Sequence, residues 1–498
     1  MQAYAVSYSK YLISASMVLF TLLAYAALPA AQESRRTFEV LQRLCMAVFT
    51  LNAFLTMAIL GEEEDLFIFG ILLTIIVIWT AVLYRILYKN ANMLMINNIL
   101  MMFSIGIVMI SRINHVKAQK QLLIALAGIL FLLLFPLVRN RLDSLRKGTY
   151  IYGALGIAAL VAVLLLGSMT NGSKLNIPIA GLTFQPSEFV KILFILFMSS
   201  ALCEENTNRH IAFLTAAAVA HVGILMLSRD LGSAVIFFVV YVSLLFLATG
   251  KWSYLIGGIL LGALGAVVCY LLFSHLRVRV QVFLDPWSSI DGSGYQITQS
   301  LFAISFGGLF GAGLMQGMPS SIPFVESDFI FAAIIEEMGL IFGICLILLC
   351  LNIFTDFLLL SSSYSNKFYQ LYTFGTATAF IFQTFLTIGG EVRFIPLTGV
   401  TLPLVSYGGS SVLATFTMFG IVSAIFMLQE ERLEKFRLRY EEERKMYDSS
   451  RNYQSYADRG SREAGSAGGG DGDFYRDFKG VPIYDPSKDY EDMKPFDM

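Results

Sequence analysis

DPWSSIDGSGYQITQSLFAISFGGLFGAGLMQGMPSSIPFVESDFIFAAIIEEM, residues 285–338, lies between two apolar runs and decides how the chain is read. It is rich in Gly and Ser, and it closes on Asp328 and the pair Glu336 and Glu337 as apolar sequence resumes. A carboxylate kept at a membrane edge is costly and marks a function or a charged partner. The stretch therefore joins a membrane architecture to acid–base chemistry.

The flanks are apolar on a scale that a membrane explains. Of 498 residues, 56% are hydrophobic and 14% charged, against roughly 25% charge in soluble domains. Runs of about 20 apolar residues recur, the length that crosses ~30 Å of hydrocarbon as helix. The short alternating segments of an outer-membrane barrel do not occur. Spans are predicted near 11–29, 37–60, 65–87, 94–111, 121–138, 149–168, 186–203, 211–228, 233–249, 253–274, 331–354, 369–389 and 409–428. The fold class is all-α, a polytopic integral membrane protein. The run at 94–111 is the weakest, because it carries Asn97 and Asn98. The first run follows Lys10 and ends in AYAALPAA, which mimics a leader cleavage site. Its length and the helices behind it favour a retained span. Cys45, Cys203, Cys269, Cys345 and Cys350 lack CxxC spacing and read as small core hydrophobes. A net charge of −1 supplies no field for nucleic acid.

Lys and Arg in short loops set the orientation. Arg139, Arg141, Arg146 and Lys147 mark a cytoplasmic loop. Alternation then puts Arg35, Arg36, Arg85 and Lys89 inside, and the Glu62–Asp65 loop and the 275–330 segment outside. Thirteen spans with an inside C-terminus put the N-terminus outside. Arg112, Lys117 and Lys120 break the rule by facing outward. Residues 429–447 read as a charged helix continuing the last span, and 448–498, poor in aliphatics, as a disordered tether.

Three further motifs share the outer face with the 285–338 stretch. In FQPSEFVK, 184–191, Pro186 suits a first helical turn, and Glu188 and Lys191 stand three apart on one helix face. They are either an ion pair that fixes packing or the wall of a polar cavity. SRDLGSA, 228–234, supplies Arg229 and Asp230, and Asp230 is suited to cap the helix that follows. DPWSSIDGSGYQITQS, 285–300, supplies Asp285, Asp291, Tyr295 and Gln296, while GGLFGAG, 307–313, has no strand before it and no Lys-Ser/Thr of a P-loop. Those glycines permit tight turns and close packing. In TGVTLPLVSYGGSS, 398–411, Pro403 and Gly408–Gly409 forbid a continuous helix, and Ser406, Tyr407, Ser410 and Ser411 offer hydroxyls. Broken backbone at membrane depth must be buried in protein or line a wet cavity. His221 reads as a core histidine, and Arg43 as a snorkelling or locally paired cation.

Taken together, FQPSEFVK, RDLGSA, GYQITQS, SDFIFAAIIEEMG and TGVTLPLVSYGGSS resemble the SEDS family of cell-wall proteins (the FtsW, RodA and SpoVE type), in the family's order and spacing. The resemblance covers about 94–430 and implies a core of ten transmembrane helices. Residues 1–93 would be about three additional helices, and 431–498 a charged helix and tail. It implies a peptidoglycan glycosyltransferase that polymerises lipid II beside a class B penicillin-binding transpeptidase, in the bacterial cytoplasmic membrane. It places the essential Asp of the family at Asp328, the Glu and Lys of QPSE-x-x-K at Glu188 and Lys191, and the Asp of DLG at Asp230. Asp328 would be the catalytic base. Glu188, Lys191, Arg229, Asp230, Tyr295, Gln296, Ser406, Tyr407, Ser410 and Ser411 would bind substrate. Lys191 near Asp328 would keep that carboxylate ionised, and Lys191, Arg229 or a divalent cation (Mg2+ or Mn2+) would meet the leaving pyrophosphate. No organic cofactor is expected. The chain departs from the family in GSKLNI, 172–177, in the charged loop GGEVRF, 389–394, and in Ser327 where Thr is usual. Two other readings fit the same features. One is a carrier that flips a polyprenyl-linked precursor, and the other is a scaffold for cell-wall partners. Polar groups gathered on one face favour the enzyme.

Overall fold

The computed structural model describes residues 2–30, 32–170, 173–179, 182–204 and 207–464, with side chains for 6–30, 34–167, 184–204 and 207–445. The helices are α1 (Gln2–Ala27), α2 (Gln32–Gly61), α3 (Glu64–Leu87), α4 (Met93–Ile113), α5 (His115–Leu134), α6 (Leu142–Leu145), α7 (Thr149–Leu166), α8 (Pro186–Leu202) and α9 (Asn208–Leu227). They continue as α10 (Leu231–Thr249), α11 (Trp252–Leu272), α12 (Ser274–Leu284), α13 (Tyr295–Gly307), α14 (Val325–Asp328), α15 (Ile330–Met338), α16 (Leu340–Ser363), α17 (Lys367–Glu391) and α18 (Gly409–Ala464). Eleven described segments are long and apolar enough to cross a membrane; one of them, His115–Leu166, holds both α5 and α7, and the 17-residue α8 stands outside the eleven. The protein is a multi-pass, all-α membrane protein. Three short strands, β1 (Ser168–Thr170), β2 (Ser173–Ile179) and β3 (Leu182–Phe184), add a small antiparallel sheet in the outer connection from α7 to α8. Most of GSKLNI falls on β2; Gly172 and the side chains of 173–177 lie outside the described residues.

The weakest predicted span occupies the centre. The most apolar window of α4 is completely buried, and its asparagines explain why. In hydrocarbon a carboxamide must find protein partners. Asn97 Nδ2 donates to Gln42 Oε1 at 3.0 Å, and Asn98 Nδ2 donates to Asn352 Oδ1 at 2.8 Å. These bonds tie α4 to α2 and α16. At the inner end Asn92, the N-cap of α4, accepts from Arg35 at 3.1 Å and donates to Asp356 at 2.8 Å. Thus α1 and α2 pack into the same body as the family-like core, α2 on α4 and α1 on α16.

The expected span 331–354 is not one helix. Gly339, at φ +93, ends α15 and begins α16, which runs on to Ser363. A Cβ at Gly339 would lie 2.4 Å from the Gly311 amide, so glycine is needed where the 308–313 loop passes. That loop pairs by backbone with α15, Ala312 N to Glu336 O at 2.9 Å and Gly313 N to Glu337 O at 3.0 Å. Glu336 and Glu337 therefore belong to a short outer helix and not to a membrane span.

His221 is a core residue, its Nδ1 donating to Ala217 O at 2.8 Å and its ring packed against Phe194 and Phe237. Arg43 pairs locally, donating to Glu39 O at 3.2 Å. All five cysteines are free thiols. Residues 427–464 form a separate compact unit in which α18 carries its charged face, including a Glu431–Lys435 pair at 2.8 Å. Helix extends past 447 to Ala464, where disorder was expected; 465–498 lie outside the described residues.

Gly106 sets how closely α4 backs onto the 398–408 loop, because a Cβ there would lie 2.5 Å from Val405 O and 2.7 Å from Leu404 O. Gly106→Ala should destabilise the protein by about 1–3 kcal/mol, read as a lower thermal midpoint in detergent. An unchanged midpoint would show that the loop moves away freely.

Candidate active site

Asp328 sits at the end of the single turn α14, and the turn is built for it. Phe324, at φ +58, lets its carbonyl accept from the amides of Ser327 at 3.1 Å and Asp328 at 3.0 Å. A non-glycine residue there is strained and must be held by its surroundings. The 398–411 loop does the holding. Ser406 Oγ donates to Ser327 O at 2.5 Å, and Tyr407 N donates to Glu326 O at 2.7 Å. The loop is fixed in turn by Gln121, which donates to Ser406 O at 3.1 Å and accepts from Gly408 N at 2.9 Å.

A cavity of about 220 Å3 opens beside this turn, lined by Asp328, Arg279, Gln296 and Arg393 among others. Arg279 is the group that residue-type reasoning missed. Its Nη1 donates to Leu397 O at 3.1 Å and Thr398 O at 2.8 Å. Its Nη2 and Asp328 Oδ2 lie 3.6 and 3.8 Å from where a Gly399 Cβ would stand, so both reach the same small space. Burial raises the Asp328 carboxyl above its usual range, opposed by the Ser327 hydroxyl and by the Arg279 guanidinium. Burial likewise lowers Arg279, opposed by Asp328 and Asp230. One cation thus serves two carboxylates.

Asp230 fills the cap role, its Oδ1 accepting from Ser233 N at 3.1 Å, while Oδ2 accepts from Ser187 Oγ at 3.0 Å. Burial raises its carboxyl as well, and Glu188 adds to the rise. Glu188 and Lys191 form a buried pair at 2.8 Å, and Lys191 also donates to Gln383 Oε1 at 2.6 Å. Gln383 passes the contact on to Thr401 O at 2.9 Å. The expected Lys191–Asp328 neighbourhood is therefore corrected: the ammonium is committed to Glu188 and Gln383, and Arg279 is the cation that acts on Asp328.

The remaining predicted residues divide. Gln296 lines the cavity, whereas Tyr295 is exposed and does not. Arg229 is exposed at φ +62 and does not line the cavity; burial lowers the nearby His275 imidazole, and Arg279 and Arg229 add to that. Ser406 is buried with its hydroxyl committed, Ser410 accepts from Gln185 N at 3.0 Å, and Ser411 accepts from Thr401 at 3.1 Å. The Ser406 hydroxyl is thereby spent on the wall as donor and acceptor, whereas Ser410 and Ser411 are held there as acceptors. Asp285 closes a turn, accepting from Trp287 N at 3.1 Å.

The outward-facing Arg112 and Lys117 have partners on the same face. Arg112 pairs with Glu337 at 2.9 Å and donates to Gly317 O at 3.1 Å, and Lys117 pairs with Glu326. Glu337 also accepts from the Met315 and Gly317 amides, both at 3.2 Å. The charged loop 389–394 has a similar explanation. Arg393 donates to the last carbonyls of α12, Phe283 O at 2.8 Å and Leu284 O at 2.7 Å, where a cation suits a helix C-terminus. Glu391 accepts from Ala332 N at 2.9 Å, bracing α15 behind Asp328.

The donor set does not fit a cation held by protein alone. Among the described residues no three His, Cys, Asp or Glu side chains converge as metal ligands, and the space between Asp328 and Asp230 is served by a guanidinium.

A model of the FtsW, RodA and SpoVE family, described as a cell cycle protein, matches residues 84–431. The chain belongs to that family. It is 32% identical to the peptidoglycan glycosyltransferase RodA of Mycobacterium tuberculosis H37Rv, across 79% of this chain and 90% of that protein. It is 37% identical to the probable peptidoglycan glycosyltransferase FtsW of Aeromonas salmonicida, across 52% of this chain and 68% of that one. A solved chain from a study of polymerization and crosslinking by a peptidoglycan synthase complex superposes with a TM-score of 0.60 at 24% identity, covering 68% of this chain and 97% of that chain. The crystal structure of Thermus thermophilus RodA gives 0.51 at 22% identity, covering 68% and 96%. These two likenesses establish a shared fold.

Removing the guanidinium should leave Asp328 protonated to higher pH. In Arg279→Gln, a water-soluble carbodiimide, which reacts with the protonated carboxyl, should label Asp328 at higher pH than in the unchanged chain. Peptide mass spectrometry across a pH series reads this directly, and identical labelling profiles would remove Arg279 from the site.

Proposed function

We propose that this chain is a peptidoglycan glycosyltransferase that joins lipid II units into glycan strands at the outer face of the bacterial cytoplasmic membrane. The observation that carries the reading is the Asp328 carboxylate facing the Arg279 guanidinium in a cavity on that face. The names of the RodA and FtsW relatives supply the reaction class. The longer reach of the RodA match supports a RodA-type member.

Lipid II keeps its polyprenyl chain in the bilayer and presents its sugars outside. A cavity of about 220 Å3 is smaller than the ~300–1,000 Å3 typical of pockets that enclose a ligand. Only the reacting ends enter it, and the peptide and remaining sugar lie on the surface. Asp328 takes the proton of the acceptor's sugar hydroxyl as that oxygen bonds to the donor's anomeric carbon. The bond from that carbon to the pyrophosphate oxygen breaks in the same step, inverting the centre and releasing polyprenyl pyrophosphate. Charge grows on the leaving oxygens, and the Nη2 side of Arg279 is placed to meet it. Glu188, Lys191 and Asp230 act behind this pair as a buried frame that holds α8 and α10 to the 398–411 loop. A class B penicillin-binding transpeptidase is the fitting partner, since a fold relative comes from a complex that couples polymerization to crosslinking.

Asp328→Asn should fold normally, read by its thermal midpoint, and lose polymerisation by about 10²–10⁴-fold, the usual weight of a general base. Purified protein with lipid II and a product-length gel measures it. Full-length polymer from Asp328→Ala would end the assignment.

A further inference from the structure

We infer a second binding site, for an anionic phospholipid headgroup, at the cytoplasmic ends of α2 and α3. A cavity of about 490 Å3 lies there, lined by Arg36, Glu39, Val40, Arg43, Arg85 and Lys89. The placement follows from helix geometry. Arg36 and Arg43 are seven apart on one face of α2, Arg85 lies in the last turn of α3, and Lys89 follows in the turn just beyond that helix. The two helices pack together, and their cations meet in one concavity.

The charge balance there is lopsided. Glu39 is the one carboxylate of the lining, buried and within electrostatic reach of Arg85, Arg35, Arg43 and Arg36. Among the described residues, no ion pair engages Arg36, Arg85 or Lys89. Four cations around one acid form a pocket of positive potential that an anion would relieve. The cavity lies on the face of the basic 139–147 loop, where the anionic inner leaflet supplies phosphate.

The occupant is a lipid and not a small anion because the site continues as apolar surface. Val40 lines the cavity and is 57% exposed, and Leu44 and Leu51, at 59% and 37%, follow it along α2 toward the hydrocarbon. A headgroup among the cations leaves its acyl chains lying on that strip. The number of cations favours a headgroup with two phosphates. This site shares no residue with the Asp328 cavity and stands independently of the glycosyltransferase reading.

Native mass spectrometry of the full chain in detergent tests it, with cardiolipin, phosphatidylglycerol or phosphatidylcholine added. Cardiolipin should be retained about tenfold or more over phosphatidylcholine, with phosphatidylglycerol between them. The doubly substituted Arg36→Gln, Lys89→Gln chain should lose cardiolipin about thirtyfold, the weight of two basic residues at an anionic surface. Both residues are exposed, so its thermal midpoint in phosphatidylcholine should not move. Arg36→Lys with Lys89→Arg, which keeps the charge, should retain the lipid. Equal retention of cardiolipin and phosphatidylcholine, unchanged retention by the charge-removing chain, or displacement of lipid by millimolar inorganic phosphate would each overturn the proposal.

Discussion

A guanidinium shared between two carboxylates, one buried and one half-buried, is the constraint on which the outer half of this protein turns. Asp328 and Asp230 belong to chain segments almost a hundred residues apart, and each costs free energy to bury. Arg279 is the cation that both feel. Its own position depends on the carbonyls of Leu397 and Thr398, so the broken loop after α17 is part of the same electrostatic unit. That loop in turn holds Ser327 and Glu326 through Ser406 and Tyr407. Charge, loop and turn are mutually dependent.

The sequence made the membrane class, most of the long helices and the clustering of motifs readable, because apolar length and Lys/Arg bias are local properties. Asp328 was singled out through its motif, and it lines the outer cavity. Partnerships were not. Lys191 looked like the cation for Asp328 because both stand in recognisable motifs, yet its nearest acid is on its own helix turn. Arg279 lies in HLRVRVQVFL, 275–284, a stretch with no motif to single it out. Its role depends on α12 folding back on the 393–399 segment, a long-range event that no window of sequence contains.

Ser406, Ser410 and Ser411 teach a related point. A row of hydroxyls near a site suggests ligand contacts, but at membrane depth Ser406 and Ser410 answer the need to satisfy interrupted backbone, and Ser411 takes the Thr401 hydroxyl. The Gln185 amide takes Ser410, and the Leu402 amide takes Ser406. Asn97 and Asn98 show the converse. They weakened α4 as a span, while in the structure they are the reason it lies at the centre. Polarity that argues against a lipid-facing helix argues for an enclosed one.

The pairs Arg112–Glu337 and Lys117–Glu326 also bear on how the chain enters the bilayer. Their members are 225 and 209 residues apart. During synthesis the two basic residues emerge long before the acids that neutralise them, and basic residues resist translocation. The connection between α4 and α5 must therefore either cross at a cost or wait on the inner side until residues 326–337 are made. Correct topology becomes a late outcome of biogenesis, settled when the ribosome has finished two-thirds of the protein.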